Sequence, residues 1–347
     1  MNIRKNVELA PYTSFDVGGP AEQLIELSSS DQIKNLDSGS IATVLGFGAN
    51  VLISDNGLLG LTVILKNAQC KPTVKNQTIL TVDAACNWDS FVTYAIENGL
   101  WGVELMSGIP GGVGAAVAGN IAAYGQAVAD CLVSVTVYDY ATNKTKTLHT
   151  ADLGLSYRHS NFHTQDFSTL IILDATFKLS HEKTTDLNYA GALAVATESG
   201  QDTNSLLARR HIIMETRRRA GSLLEPNGLK TAGSFFKNPV VSVDQADTLI
   251  SFDETGRTKD QINKMNQQHG GSALRVSAAH VLLAAGFKRG QTWGSVRLHP
   301  SHVLKIENTG QATAQDIKNV ADEIINTVKT KLDITIEPEV RFLGDFK

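Results

Sequence analysis

Two glycine-rich stretches have the residue types and spacing of an anion cradle. In "LGFGANVLIS", Gly46 and Gly48 permit backbone angles that bring successive N–H groups onto one side, and Asn50 adds a side-chain donor. In "SGIPGGVGAAVAGNIAAYG", Gly108, Gly111, Gly112 and Gly114 crowd around Pro110 and are followed by Ala115, Ala116 and Gly119. Neither stretch is a dinucleotide fingerprint of the G-x-G-x-x-G type placed between a strand and a helix, and no G-K-[ST] makes either a P-loop. Taken singly, each reads as a turn. As a pair, they favour a dinucleotide with a flat ring system. The second stretch carries no charge and little hydrophobic mass, so it is expected to add little to a core and to leave room for that ring.

The elements that must hold these stretches are legible from periodicity and capping. "AEQLIELSSSDQI" predicts a strand and a short helix, and "IATVLGFGANVLISDNGLLGLTVIL" predicts strands separated by glycine turns. "CNWDSFVTYAIENGL" predicts a helix with Asn87 as N-cap, Phe91, Val92, Ala95 and Ile96 on its apolar face, and Gly99 as its stop. "LVSVTVYDY" and "STLIILDATFKL" are β-branched and aromatic, hence strands. A helix is expected in "DTNSLLARRHIIMETRRRAG", and the composition shift through Gly221, Pro226 and Gly228 marks a domain boundary. Thr313 with Asp316 caps a terminal helix whose buried stripe is Ile317, Val320, Ile324 and Val328, and "ITIEPEVRF" follows as a strand. The fold class is α+β.

Bulk properties narrow the function. The chain has 347 residues, enough for two or three domains, and no apolar run long enough to cross a membrane. A net charge of −4 disfavours a nucleic-acid binder. Cys70, Cys86 and Cys131 are sparse and odd in number, which predicts free thiols in a reducing compartment and no zinc site. The start lacks the apolar segment of a secretory signal, so a cytoplasmic protein is expected. The histidines of "HSNFH" and "HPSH" lack acidic or cysteine partners, so no metal is expected.

"YTSFDVGG", "LGFGANVLIS", "GIPGGVGAAVAGNIAAYG", "YRHSNF", "AGSFFKNP" and "EPEVRF" resemble, in this order, signature segments of the UDP-N-acetylenolpyruvoylglucosamine reductase family. The resemblance spans essentially the whole chain, and the glycine stretches are shared with FAD-linked oxidoreductases related to vanillyl-alcohol oxidase. It implies an FAD-binding domain in two lobes, residues 1–69 and 70–213, then a substrate-binding domain over 214–347. It also implies non-covalent FAD, NADPH as reductant, a monomer, and a role in making a peptidoglycan precursor. Residues implied at the cofactor are Gly46, Gly48, Ala49, Asn50, Val51, Gly108, Pro110, Gly111, Gly112, Ala115, Ala116, Gly119, Asn120, Tyr124 and Gly125.

The implied reaction reduces an enolpyruvyl ether: a hydride reaches the vinyl carbon, negative charge develops on the adjoining carboxylate, and the neighbouring carbon takes a proton. Such a site needs a cation at the carboxylate and a proton donor at the carbon. The resemblance assigns Arg158 to the carboxylate, Ser234 to proton donation and Glu339 to the developing charge; read without it, they are a surface arginine, a turn serine and a strand-edge glutamate. Tyr189 in "LNYAGAL", Arg217, Lys237 and Asn238 match positions that hold the uridine diphosphate. The chain departs from the family at Ala49, where a serine is usual, at Gly119 and Ala122, and at Ala220, about where a lysine falls. The competing reading is a flavin oxidase acting on an alcohol or phenol. It is disfavoured because neither glycine stretch carries a histidine for covalent attachment.

Overall fold

The computed structural model describes residues 2–69, 71–223, 228–252, 260 and 274–347. Cys70 and Pro226, two residues of the sequence argument, lie outside the described residues. The chain forms two compact units that interleave in sequence. The first comprises Met1–Val7, Ala21–Ala49 and Leu59–Leu224; the second comprises Glu8–Pro20, Asn50–Leu58 and Glu225–Lys347.

Two sheets carry most of the first unit, beside a two-stranded ribbon of Ala122–Ala123 and Gln126–Ala127. One has the strand order Arg4–Glu8, Pro20–Leu27, Leu58–Leu65, Ile41–Leu45, with the last two parallel and Thr43 opposite Thr62. The other has five strands in the order Lys144–His149, Leu132–Asp139, Leu170–Lys178, Ile79–Asp83, Thr73–Val74, all antiparallel to their neighbours. Ile25, Leu61, Val63, Tyr138 and Leu173 form one core cluster of this unit. A second, larger cluster joins Leu80, Val82, Val135 and Phe177 to the helix Trp88–Glu97. That helix starts as the sequence predicts, with the Asn87 side chain accepting the Ser90 N–H, and buries Phe91, Val92, Ala95 and Ile96.

The second unit wraps the helix Ala314–Leu332 with a three-stranded antiparallel sheet of Thr292–Trp293, Val296–His299 and His302–Asn308. Its core includes Phe15, Phe235, Phe236, Leu298, Ile306, Ile317, Ile324 and Val328. Thr313 and Asp316 form the predicted capping box. Asp55 adds to this cap by accepting the N–H groups of Ala314 and Gln315 at 2.8 and 2.9 Å, which seats the Asn50–Leu58 segment on the helix start.

Three expectations need correction. "ITIEPEVRF" is a strand only over Arg341–Leu343, pairing in parallel with Val51–Ile53. Ile334 and Ile336 are buried, but the segment pairs with the chain at Phe236 only through an isolated bridge at Pro338. The second glycine stretch is not all loop: Val113–Ala118 is a short helix whose Val113, Ala116 and Val117 are buried in the core. Its small residues allow close packing, since a Cβ on Gly114 would stand 2.9 Å from the Cβ of Ala84. Finally, Cys86 is disulfide-bonded, whereas Cys131 is free and buried.

Candidate active site

In the first unit the two glycine stretches meet. The 46–49 turn follows the strand Ile41–Leu45, and a Cβ on Gly112 would lie 3.4 Å from the Phe47 ring. The backbone N–H groups of Phe47, Gly48, Gly111 and Gly112 have no acceptor among the described residues. Gly111 has φ +129°, and a Cβ there would meet nothing within 4 Å, so the backbone borders open space. Lys66 Nζ stands 5.3 Å from the Phe47 ring centroid. Unpaired amides, an open flank and a cation suit a diphosphate-bearing flavin, so these residues fit the cofactor the sequence implies.

The short helix places Ala115 on the surface and Ala116 inside, with Gly112 and Gly119 at its two ends. Pro110 is half-buried in the turn that precedes it. Asn120 is buried, and its side chain is engaged by the protein: Nδ2 donates to the Ser156 carbonyl at 2.8 Å and Oδ1 accepts the Ala129 N–H at 3.1 Å. This brings the Arg158 turn to the glycine stretch. Ser156 and His159 exchange two backbone hydrogen bonds, and Arg158 at the tip takes φ +52°, a left-handed angle costing a non-glycine residue about 1 kcal/mol. Ser160 Oγ, donating to the Ala118 carbonyl at 2.6 Å, fastens the far side of the turn.

The end of the glycine stretch gathers Tyr124, Tyr189 and Arg217. The rings of Tyr124 and Tyr189 stand edge to face with centroids 5.0 Å apart, and Tyr124 precedes Gly125 with φ +52°. Tyr189 ends the approach to the helix Ala190–Ser199 and is about half exposed. Arg217, on the helix Leu206–Arg219, donates to the Ser222 carbonyl at 2.8 Å and hydrogen-bonds Tyr124. Burial pushes the Arg217 pKa down, with Tyr124 and Asp89 partly opposing it, and burial likewise pushes the Tyr124 phenol up. Arg217 Nε is buried with no hydrogen-bond partner among the described residues.

In the second unit the chain segments around Ser234 and Glu339 lie side by side. Phe235 N–H donates to the Leu304 carbonyl, Glu339 N–H to the Phe235 carbonyl at 2.7 Å, and Lys237 N–H to the Glu337 carbonyl at 2.9 Å. Phe235 and Phe236 are buried, which leaves Ser234 exposed at the edge of the core. Asn50 Nδ2 donates to the Glu339 carbonyl at 3.0 Å, and Val51 opens the strand that pairs with Arg341–Leu343. Thus Ser234, Glu339, Asn50, Val51 and Lys237 form one neighbourhood. Asn238 joins it: its Oδ1 accepts the Ala278 N–H, and its carbonyl accepts Arg275 Nη1 at 2.7 Å.

Sequence reasoning missed Arg275, Lys66, Asp89 and Arg210. Arg275 and Lys66 sit in segments without a motif signal. Asp89 and Arg210 are far apart in the chain, and only the fold pairs them. Two surface depressions, one lined by Lys34, Tyr138 and Asn143 and one by Tyr94, Asn98 and His181, hold none of the predicted residues. Among the described residues no cluster of His, Cys, Asp or Glu could hold a metal ion, and no helix is long and apolar enough to cross a membrane.

Residues 225–343 match the family model of the UDP-N-acetylenolpyruvoylglucosamine reductase C-terminal domain, and residues 37–149 match an FAD binding domain. The chain is 33% identical to the UDP-N-acetylenolpyruvoylglucosamine reductase of Thermobifida fusca, over 99% of this chain and 98% of that protein. It is 31% identical to the Streptomyces coelicolor protein of the same name, covering 97% and 89%. Among solved structures, the UDP-N-acetylenolpyruvylglucosamine reductase of Thermus caldophilus aligns with TM-score 0.62 and 23% identity, over 99% of this chain and all of that one. That likeness establishes the fold.

Proposed function

The chain belongs to the UDP-N-acetylenolpyruvoylglucosamine reductase family, and from that premise we propose that it reduces UDP-N-acetylglucosamine enolpyruvate to UDP-N-acetylmuramate, a cytoplasmic step in peptidoglycan precursor synthesis, with NADPH as reductant. The observation that carries this reading is a match at 33% identity along nearly the whole length of both chains. In this reading residues 1–69 and 70–213 hold FAD and 214–347 the substrate, whereas the compact units divide elsewhere: Glu8–Pro20 and Asn50–Leu58 go with the second unit, and the whole helix Leu206–Arg219 with the first.

Bound FAD supplies the hydride for the vinyl carbon. The chain's residues prepare the substrate for it and complete the addition. The Phe47, Gly48, Gly111 and Gly112 amides hold the cofactor's diphosphate, with backbone N–H groups standing in for the hydroxyl absent at Ala49. Arg158 takes the substrate carboxylate in a two-pronged grip. Its left-handed backbone angle directs the guanidinium from a rigid turn rather than a mobile tail. As negative charge moves onto that carboxylate, the fixed guanidinium stabilises it without reorganising, an effect worth about 10²–10³ in rate for a single donor. Glu339 is the second group placed at the developing charge. Ser234 Oγ–H delivers the proton to the adjoining carbon, so one hydride and one proton are added across the double bond. Tyr189, Arg217, Lys237 and Asn238 hold the uridine diphosphate.

The experiment separates the two half-reactions. Ser234→Ala is expected to leave reduction of the flavin by NADPH within about twofold of wild type and to slow its reoxidation by the enolpyruvyl substrate at least a hundredfold. Equal loss in both half-reactions would refute the role given to Ser234. A second reading, an alcohol- or phenol-oxidising flavoenzyme, has no observation in its favour.

A further inference from the structure

The helix Leu206–Arg219 holds both ends of the second glycine stretch, and it does so with two arginines. Arg210 and Arg217 are seven residues apart, about two helical turns, and so lie on one face. Arg217 engages Tyr124 at the end of the stretch. At its start, Asp89 accepts the Gly108 N–H at 2.6 Å while both its oxygens take the Arg210 fork at 2.7 and 2.8 Å. Gly108 has φ +70°, and a Cβ there would stand 2.7 Å from Met214 Sδ and 3.3 Å from Arg217 Nε, so the stretch lies directly on the helix. Burial disfavours the Asp89 carboxylate, yet the Arg210 fork and the Gly108 N–H overcome it and hold the pKa below the usual carboxylate range.

We propose that Asp89 is a positioning residue: with Arg210 it latches the first turn of the cofactor loop onto the helix that carries the substrate-facing Arg217, so that loop geometry survives when Arg217 turns from Tyr124 to an anionic group. An anion at Arg217 competes with Tyr124 for that guanidinium and weakens the hold on the far end of the loop. The Asp89–Arg210 fork is part-buried and its hydrogen bonds do not involve Arg217, so the near end stays fixed. The latch rests on the cofactor reading above. It concerns a side chain outside the cofactor and substrate residues named above.

The test is FAD binding to the flavin-stripped full chain, followed by quenching of flavin fluorescence and by the visible spectrum, with and without UDP as the probe for Arg217. Asp89→Asn keeps the shape but cannot hold the charged fork. It is expected to raise the FAD Kd about tenfold, roughly 1.4 kcal/mol, to shift the bound-flavin spectrum, and to raise the Kd a further threefold or more with saturating UDP. Wild type is expected to change less than twofold with UDP. Asp89→Glu is expected to recover part of the affinity. Glu215→Gln removes the exposed pairs to Arg218 and Arg219 on the same helix and is the control, expected to leave the Kd unchanged. If Asp89→Asn fails to fold, Arg210→Gln decides, with the same expected direction. The proposal is overturned if the variant binds FAD with wild-type Kd and spectrum, or if Glu215→Gln weakens FAD equally. Wild type failing to bind FAD would instead overturn the cofactor reading.

Discussion

Glu104 offers a demanding test of how the glycine stretch is supported. Its carboxylate and the Arg209 guanidinium are almost wholly buried and pair at 2.8 Å. Glu104 Oε2 accepts from the Gly102 N–H and from Gln126 Nε2, both at 2.9 Å, and Gln126 Oε1 in turn accepts the Leu105 N–H. Arg209 also donates to the Thr203 and Thr185 carbonyls and lies 5.0 Å over the Trp101 ring. In Glu104→Gln one oxygen becomes an NH₂ group, so a donor must face either the guanidinium or the Gly102 and Gln126 donors. The guanidinium stays buried and charged with its counter-ion gone. Breaking one side of such a pair costs about 3–5 kcal/mol. At roughly 2–4 °C per kcal/mol for a unit of this size, the midpoint falls by about 6–20 °C. Thermal unfolding followed by circular dichroism measures it. The double variant Glu104→Leu with Arg209→Met is expected to lose less than Glu104→Gln alone, because no uncompensated charge is left buried and the groups that lose a partner, the Thr185 and Thr203 carbonyls and the Gly102 and Gln126 donors, are neutral. A Glu104→Gln midpoint within about 2 °C of wild type, or a double variant less stable than the single, would refute the reasoning.

Two further outcomes are expected. His302 is half-buried, and its pKa is pushed down from 6.5 to about 4 by desolvation first and then by Lys305, Arg289 and His299. The native state therefore resists protonation while the unfolded chain does not. This contribution is intact above pH 6.5 and is lost as pH falls toward 4, at about 1 kcal/mol per pH unit. His302→Asn should flatten that slope in denaturant titrations at successive pH values, and an unchanged slope would contradict the assignment. Arg158→Lys keeps the charge and loses the fork, so kcat should fall about 10²-fold with flavin affinity unchanged; loss of flavin instead would place Arg158 in the cofactor cradle.

Local signals in this chain were legible where one residue and its near neighbours decide the outcome. Asn87, and Thr313 with Asp316, cap helices because the acceptor and the orphan N–H groups lie within three residues. The two glycine stretches were legible as a pair. What they do for the core was not: small residues can clear a ligand slot or admit a close neighbour, and Gly114 does the second against Ala84. The 334–340 segment misled because alternating buried isoleucines look like a strand, while its pairing with the chain at Phe236 amounts to one isolated bridge at Pro338. The residues proposed for the site in the two units rest on resemblance alone. An exposed serine after glycine or an arginine in a turn carries no local mark of the role proposed for it. The positive φ of Arg158 is a property of the folded turn. The Asp89–Arg210 fork joins positions 121 residues apart, beyond any periodicity.

The most direct measurement is anaerobic. The purified protein is reduced with NADPH until the yellow flavin band is bleached, and UDP-N-acetylglucosamine enolpyruvate is then added. The account predicts that the band returns in proportion to substrate, one flavin reoxidised per molecule of UDP-N-acetylmuramate formed. Flavin that stays bleached in the presence of excess substrate would contradict it.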